Sequence, residues 1–463
     1  MRRPCAAAIG LILLTMGPAA LAQAQPSTSA DRLWVHRGRG GAGATEAGLQ
    51  SSRPGAARSI AARLRAYARF SADDGLLRAA LNRAPREFAR GGASLVFFVP
   101  LPDGTFERVR VEESPIFSPE LQAQYDSIRT FTARGIDDPS LTGRLDYTSV
   151  GFHGMLLSPR GSVFVDPIGD GEYASYWKKD AIGDPFVCET HDKDMVPPAA
   201  GVEGSSSLQS LGPILLALNP SGGQLRTYRL AISVTGEYTR FFDGNPPTAG
   251  TPNTVAQIAT TVNRVTGVYE REVQIRLNLT ATRIFTDPAT DPFSSGDFRT
   301  ENQTTLDANP GDANYDIGHI FGQGGTGGVA TGSVVCVTGS KARGYTSRPN
   351  PSGDPFDIDY VAHEIGHQFS GSHTWTSNQG SCSDAGQFQS ASSYEPGSGS
   401  TIMAYAGICS PDDVQANSDA YFHTRSYDQI VQYRTSGSGN SCGTASNTGN
   451  NAPTINAGPD CTI

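Results

Sequence analysis

The stretch Asp357-Ile-Asp-Tyr-Val-Ala-His363-Glu364-Ile-Gly-His367-Gln-Phe-Ser-Gly-Ser-His373 constrains this chain more than any other. Ile358, Val361, Ala362, Ile365 and Phe369 recur at helical spacing, and acidic Asp357 and Asp359 sit where a helix N-terminus favours negative charge. On such a helix His363 and His367 project from one face, one turn apart, and can grip a single tetrahedral ion. Glu364, next to the first of them, reaches a metal-bound water without itself binding the metal. Zinc lowers the pKa of such a water to about 7 and polarises a carbonyl, while the carboxylate carries the proton to the leaving amine. His373 supplies the third ligand if the helix ends near Ser370-Gly371 and the chain turns back, which leaves the fourth position open. A lone pair of helical histidines is more often just hydrogen-bonded and partly buried. Here three of the chain's eight histidines fall together, with a Glu in the required place.

The N-terminus directs the protein out of the cell. A basic start at Met1-Arg2-Arg3, an apolar run from Cys5 to Leu21 and a small-x-small signature at Ala20-Leu21-Ala22 read as a secretory signal peptide over residues 1–22. Gly17-Pro18 breaks the run, whereas a membrane anchor needs roughly 20 uninterrupted apolar residues. No second apolar stretch of spanning length follows, so no membrane span is expected. A formal net charge of -9 with 17% charged residues offers no basic field, which excludes nucleic acid as a partner.

The remainder divides by pattern. Residues 26 to about 66 are rich in Ala, Gly, Ser and Arg and read as a mobile entry segment. Leu95–Val99 and Phe106–Val111 flank the turn Pro102-Asp103-Gly104, and Val150–Leu157 meets Val163–Val165 through Ser158–Gly161. Both pairs predict hairpins in a mainly β unit. Pro, Gly and Ser then cluster between about 193 and 225, an interdomain linker that closes a pre-domain over 23–225. After it, strands at Tyr228–Val234, around Val273–Leu279 and at Tyr315–Phe321 alternate with an amphipathic helix at Thr254–Tyr269. That alternation predicts an α/β (α+β) domain with a mixed sheet over 226–437, followed by a polar tail at 438–463.

After the histidines comes Ser400-Thr401-Ile402-Met403-Ala404-Tyr405. HExxH, a bend, a third His and a later Met-containing turn together resemble the metzincin clan of metallopeptidases. The flow from Tyr228–Tyr238 through Tyr315–Phe321 to His363 looks like its reprolysin-like (adamalysin-like) bacterial secreted members, over roughly residues 225–437. The resemblance implies one catalytic zinc, protein or peptide substrates, Met403 as an apolar floor beneath the ligands, and a monomer. It also raises Tyr405 as a helper to the tetrahedral intermediate, beside the plainer reading of packing. Metzincins carry Gly three residues after the second His, and this chain has Ser370. A Ser in the left-handed region costs roughly 1 to 2 kcal/mol. Should His373 fail as a ligand, His423 or Asp384 would replace it; otherwise His423 is structural, as is His319, which is expected at an exposed strand edge.

Of the chain's seven cysteines, the six beyond the signal peptide remain to be placed. Cys382 and Cys409 bracket the Met turn and are expected to pair. Cys336 pairs with Cys442, with Cys461 or with nothing, and Cys442 with Cys461 is the other closure of the tail. Cys188 stands alone before the linker, where a thiolate from the pre-domain could take the open zinc position and keep a precursor silent, as in the cysteine switch of several metzincins. A plain unpaired Cys is the alternative. Competing functions are a catalytically silent adhesion scaffold, against which the intact Glu364 speaks, and a zinc amidase on a non-peptide substrate. The acidic run Asp287–Asp291 leaves room for a structural calcium.

Overall fold

The computed structural model describes residues 33–41, 60–89, 93–183, 186–191, 222–325 and 327–450. The signal peptide, the linker between 192 and 221, and the tail from 451 onward with Cys461 lie outside them.

Two sheets organise the chain. The first is antiparallel throughout and has the order β1-β2-β9-β8-β7-β6-β5-β4-β3. Its strands are β1 (Trp34–Gly40), β2 (Tyr67–Ala72), β3 (Leu95–Pro100), β4 (Phe106–Glu113), β5 (Arg129–Gly135), β6 (Thr142–Thr148), β7 (Gly151–Ser158), β8 (Gly161–Gly169) and β9 (Glu172–Trp177). Both expected hairpins are there, as β3–β4 and β7–β8. In β4 the period of two is plain, with Val109 and Val111 buried and Arg108 and Arg110 exposed. The entry segment departs from expectation, because its residues 34–40 form β1. Trp34 explains this: it is buried against Phe70, Phe152 and Tyr173, and its indole N–H donates to the Phe98 carbonyl at 2.9 Å, curling the sheet's ends toward each other.

The second sheet has the order β10-β14-β15-β13-β11-β12 and is mixed. It comprises β10 (Val187–Cys188), β11 (Gln224–Val234), β12 (Ile275–Ile284), β13 (Ile317–Gln323), β14 (Gly327–Ala330) and β15 (Gly344–Arg348), with β16 (Thr444–Asn447) paired to β11. β14 runs antiparallel to β15, and β10, which comes from the N-terminal half, pairs with β14 in parallel. The polar stretch after 437 thus adds a strand to this sheet, tied down by a Cys336–Cys442 disulfide.

The helix Pro252–Val273 lies between the two sheets and explains how the halves join. Its expected apolar stripe, Val255, Ile258, Val262, Val265 and Tyr269, is buried in the main core. Polar Thr260, Thr261, Asn263 and Arg264 are buried too, because the first sheet covers them. Asn263 donates to the Leu145 carbonyl at 3.0 Å and Thr260 to Asp146 at 3.0 Å. The Arg264 guanidinium bridges Asp166 of β8 at 2.5 Å and Asp357, at the head of the histidine helix, at 3.0 Å. A second buried cation, Lys178, reaches from the end of β9 to Asp354 and Asp359 on the same helical approach, at 2.9 and 2.8 Å. The acidic residues before the histidines therefore serve as partners for buried cations.

Candidate metal centre

Residues 354–368 form one helical run containing a π-type turn at Asp357–Val361, and the segment Ala362–Gln368 carries both histidines of the pair. The run ends at the left-handed Ser370, with φ +78°. Ser370 N–H donates to the His367 carbonyl at 2.8 Å and Gly371 N–H to the Gly366 carbonyl at 2.8 Å, a Schellman pattern that satisfies the last carbonyls. The Ser370 hydroxyl also donates across to, or accepts from, Ser333 at 3.0 Å. The chain then reverses and brings His373 back over the helix.

Each imidazole is aimed by a backbone carbonyl. His363 Nδ1 lies 2.7 Å from the Ile402 carbonyl, His367 Nδ1 2.8 Å from Gly371, and His373 Nδ1 3.0 Å from Gln387. A carbonyl only accepts, so each Nδ1 holds the ring proton and each Nε2 presents a lone pair. These lone pairs converge: His367 Nε2 stands 3.1 Å from Nε2 of both His363 and His373. All three rings are buried, and burial with the neighbouring ring lowers His363 to a pKa of about 3, which keeps it neutral. Nε2 atoms gathered at that distance can share one bound cation. Tetrahedral zinc with Zn–N bonds of about 2.0 to 2.1 Å calls for donor separations of about 3.4 Å, so the three residues fit that ion.

A fourth donor completes the cluster. Cys188 Sγ lies 3.7 Å from His367 Nε2, and the ligand atoms of Cys188, His363, His367 and His373 are all within 4.8 Å of one another. Burial and the adjacent Glu364 carboxylate push the thiol's pKa well up. A bound cation would reverse that and hold the thiolate. His423 and Asp384 lie elsewhere: His423 caps the helix Thr424–Ser436 and Asp384 pairs with His191 at 3.4 Å.

Glu364 is fully buried beside the cluster, and burial pushes its carboxyl up to about 8 against hydrogen bonds from Cys188 and Thr190. The Thr190 hydroxyl reaches it at 3.2 Å. Space for this carboxylate is made by Gly328 of β14, where an added Cβ would sit 2.3 Å from Glu364 Oε1. Gly366 does the same for the Met turn, since a Cβ there would be 2.4 Å from Met403 Sδ. Met403 is wholly buried beneath the helix. Its carbonyl accepts from Thr374 N–H at 3.2 Å, so the turn also spaces the loop after His373. Cys382 and Cys409 are disulfide-bonded and pack with Phe186, Cys188, Tyr360, Trp375 and Tyr405. The Tyr405 hydroxyl donates to Gln387 Oε1 at 3.0 Å and neighbours the Cys188 sulfur.

One expectation fails here. His319 is not at an exposed edge; it is wholly buried on β13, between β11 and β15. Its Nδ1 bonds Gln368 Oε1 and its Nε2 bonds Thr346 Oγ1, both at 2.9 Å, so it fastens the end of the histidine helix to the sheet. Sequence reading also passed over Thr190, Gln387 and Glu395. Glu395 accepts from Thr374 Oγ1 at 2.5 Å, Ser400 N at 2.9 Å, Thr401 N at 3.1 Å and Thr401 Oγ1 at 2.5 Å, joining the His373 loop to the Met turn.

Residues 224–433 match the model of the metallo-peptidase family M12B, reprolysin-like. Among solved structures, the chain is similar to the crystal structure of metalloproteinase-II from Bacteroides fragilis, with 9% identity and a TM-score of 0.40 over 78% of this chain and 96% of that one. It is also similar to the structure of a chaperone-substrate complex, with 16% identity and a TM-score of 0.30 over 46% of this chain and 35% of that one. No curated protein matches.

Proposed function

We propose that the chain, whose residues 224–433 match the reprolysin-like M12B metallo-peptidase family, is a zinc metalloprotease, an exported endopeptidase made as a silent precursor. His363, His367 and His373 are its metal ligands, Glu364 its proton carrier and Cys188 the group that blocks it. The supporting observation is the convergence of three imidazole nitrogens with one thiol in a buried pocket beside Glu364. Zinc held there supplies Lewis acidity, lowering the pKa of a water and polarising a carbonyl. Glu364 takes the attacking water's proton on its carboxylate and delivers it to the leaving nitrogen. The histidines hold their orientation through the carbonyls of Ile402, Gly371 and Gln387. Met403 and the Cys382–Cys409 bridge support the floor and wall.

In the precursor, Cys188 would hold the metal together with the three histidines while Thr190 ties up Glu364, which would keep water and substrate out. Loss of the segment around Cys188 frees both groups in one step. Residues 1–22 act as the export signal, residues 23–225 as the prosegment with its activation cut in the stretch 193–225, and residues from 226 as the catalytic unit. Two disulfides suit an oxidising compartment, and no helix among the described residues is long and apolar enough to cross a membrane.

The test compares the full-length chain with Glu364→Ala and Cys188→Ala variants for zinc content and casein cleavage, before and after limited proteolysis. Glu364→Ala should hold one zinc and cut nothing. Cys188→Ala should cut without prior proteolysis. A Glu364→Ala protein that still cleaves casein sinks the mechanism, and a Cys188→Ala chain that stays silent until cut removes the thiol as the block.

A further inference from the structure

The segment Val187–Thr190 lies extended in the cleft and is held from two sides. On one side it pairs with β14, Cys188 opposite Gly328, with Glu189 N–H donating to the Gly328 carbonyl at 2.8 Å. On the other, the side-chain amide of Gln387 donates to the main-chain carbonyl of Cys188. Gln387 is buried, and its orientation is settled by its neighbours. The Cys188 carbonyl only accepts, so the amide nitrogen, a pure donor, is the end that faces the cleft, and Tyr405 Oη donates to Oε1 at 3.0 Å. The residue's own carbonyl holds His373 Nδ1 at 3.0 Å, which fixes the amide's position relative to the ligand cluster.

Resting on the protease reading above, we propose that Gln387 is a substrate-binding residue. Its amide donates to a main-chain carbonyl of the peptide crossing the histidine cluster, and Tyr405 is a positioning residue that acts through it. Departure of the Cys188 segment opens this donor to water, and a substrate carbonyl placed there restores the direct hydrogen bond. An extended peptide offers one along its edge whichever way it runs, because C=O and N–H groups alternate there. The contact is to backbone, so it serves any sequence and adds affinity rather than side-chain preference.

The experiment uses the full chain opened by limited proteolysis, as wild type, Gln387→Ala, Gln387→Glu, Tyr405→Phe and the Gln387→Ala/Tyr405→Phe double variant. For each, kcat and KM are measured on one fluorogenic casein-derived peptide, with zinc content alongside. In a Glu364→Ala background the Kd for the same peptide is read by anisotropy. Gln387→Ala should keep its zinc, raise KM and Kd about five- to tenfold and leave kcat within about twofold. Gln387→Glu should be at least as poor, since it sets an acceptor against a carbonyl. Tyr405→Phe should give a smaller rise in KM and add nothing to Gln387→Ala. Unchanged KM and Kd in Gln387→Ala, or zinc loss in that variant, overturns the proposal. A Tyr405→Phe defect confined to kcat and additive with Gln387→Ala places Tyr405 on the reacting centre instead, which overturns its assigned role. A wild type that binds the peptide without cutting it counts against the protease reading, while the Kd series still decides on Gln387.

Discussion

The two walls of the metal pocket are built on different terms. The histidine wall, from His363 to Tyr405, is tied to itself: ring nitrogens to carbonyls, Glu395 to four donors, Cys382 to Cys409, and Met403 pressed against Gly366. Among the described residues, the Cys188 segment faces it through two β-bridge positions, the Gln387 amide, Thr190, the His191–Asp384 pair and the Phe186 ring stacked on Tyr360 at 3.7 Å. Under the proposed function, one wall keeps its shape through a reaction, whereas the other holds and then leaves. The difference shows that a buried position can be strongly occupied without being strongly integrated.

Four perturbations break or sharpen that contrast. The largest effect is expected from Phe186→Ala. Removing a buried aromatic costs about 3 to 5 kcal/mol, here taken from the segment's docking, so Cys188 in the full chain should react with a thiol reagent about a hundredfold faster or more. An unchanged rate would show that the segment is anchored elsewhere.

The histidine wall should instead respond to acid through His319. Burial lowers its pKa from 6.5 to about 4. The unfolded chain therefore binds the proton more readily, so His319's contribution is complete above about pH 6.5 and is lost as the pH falls toward 4, to a limit of about 3 kcal/mol. Denaturant unfolding at pH 7 and pH 4.5 should show a smaller drop for His319→Asn than for wild type. Equal drops would remove His319 as the sensor.

Next is Glu395→Gln, which sets an amide donor among four donors and should cost about 2 kcal/mol, with weaker zinc retention because the turn carrying the Ile402 carbonyl loosens. Calorimetry with and without chelator reads both. Full stability would mean that the disulfide alone holds this wall. The smallest effect is from Ser370→Gly. Relief of the left-handed Ser should add about 1 kcal/mol, offset in part by the lost Ser333 contact. A lower melting temperature would show that the hydroxyl pair matters more than the backbone.

Much of the fold was legible because it rests on short-range pattern. The hairpins β3–β4 and β7–β8 follow from alternation and turn residues, and the helices from their apolar periods. The shared face of His363 and His367 was legible for the same reason, since a spacing of four on a helix sets it. His319 was misplaced because a strand's period of two says which face a side chain takes, not whether another layer covers that face. The buried polar face of Pro252–Val273 was missed likewise: its Thr, Asn and Arg residues read as solvent-facing until β6 and β8 supply their partners. Gln387 and Glu395 had no signal, because each acts across the chain on a residue that only folding brings near.

By itself the sequence determined the helix, the histidine pair with its carboxylate and the turn that returns His373, because backbone geometry within a few residues sets all of these. The tertiary structure decided what the pocket is. It aimed each Nε2 through carbonyls on the helix C-terminus, the Met turn and the Gln387 loop, and through β10 it brought Cys188 from the N-terminal half of the chain to within 4.8 Å of the three imidazoles. Those choices depend on distance through space, which side-chain burial and strand pairing set and which spacing along the chain does not encode.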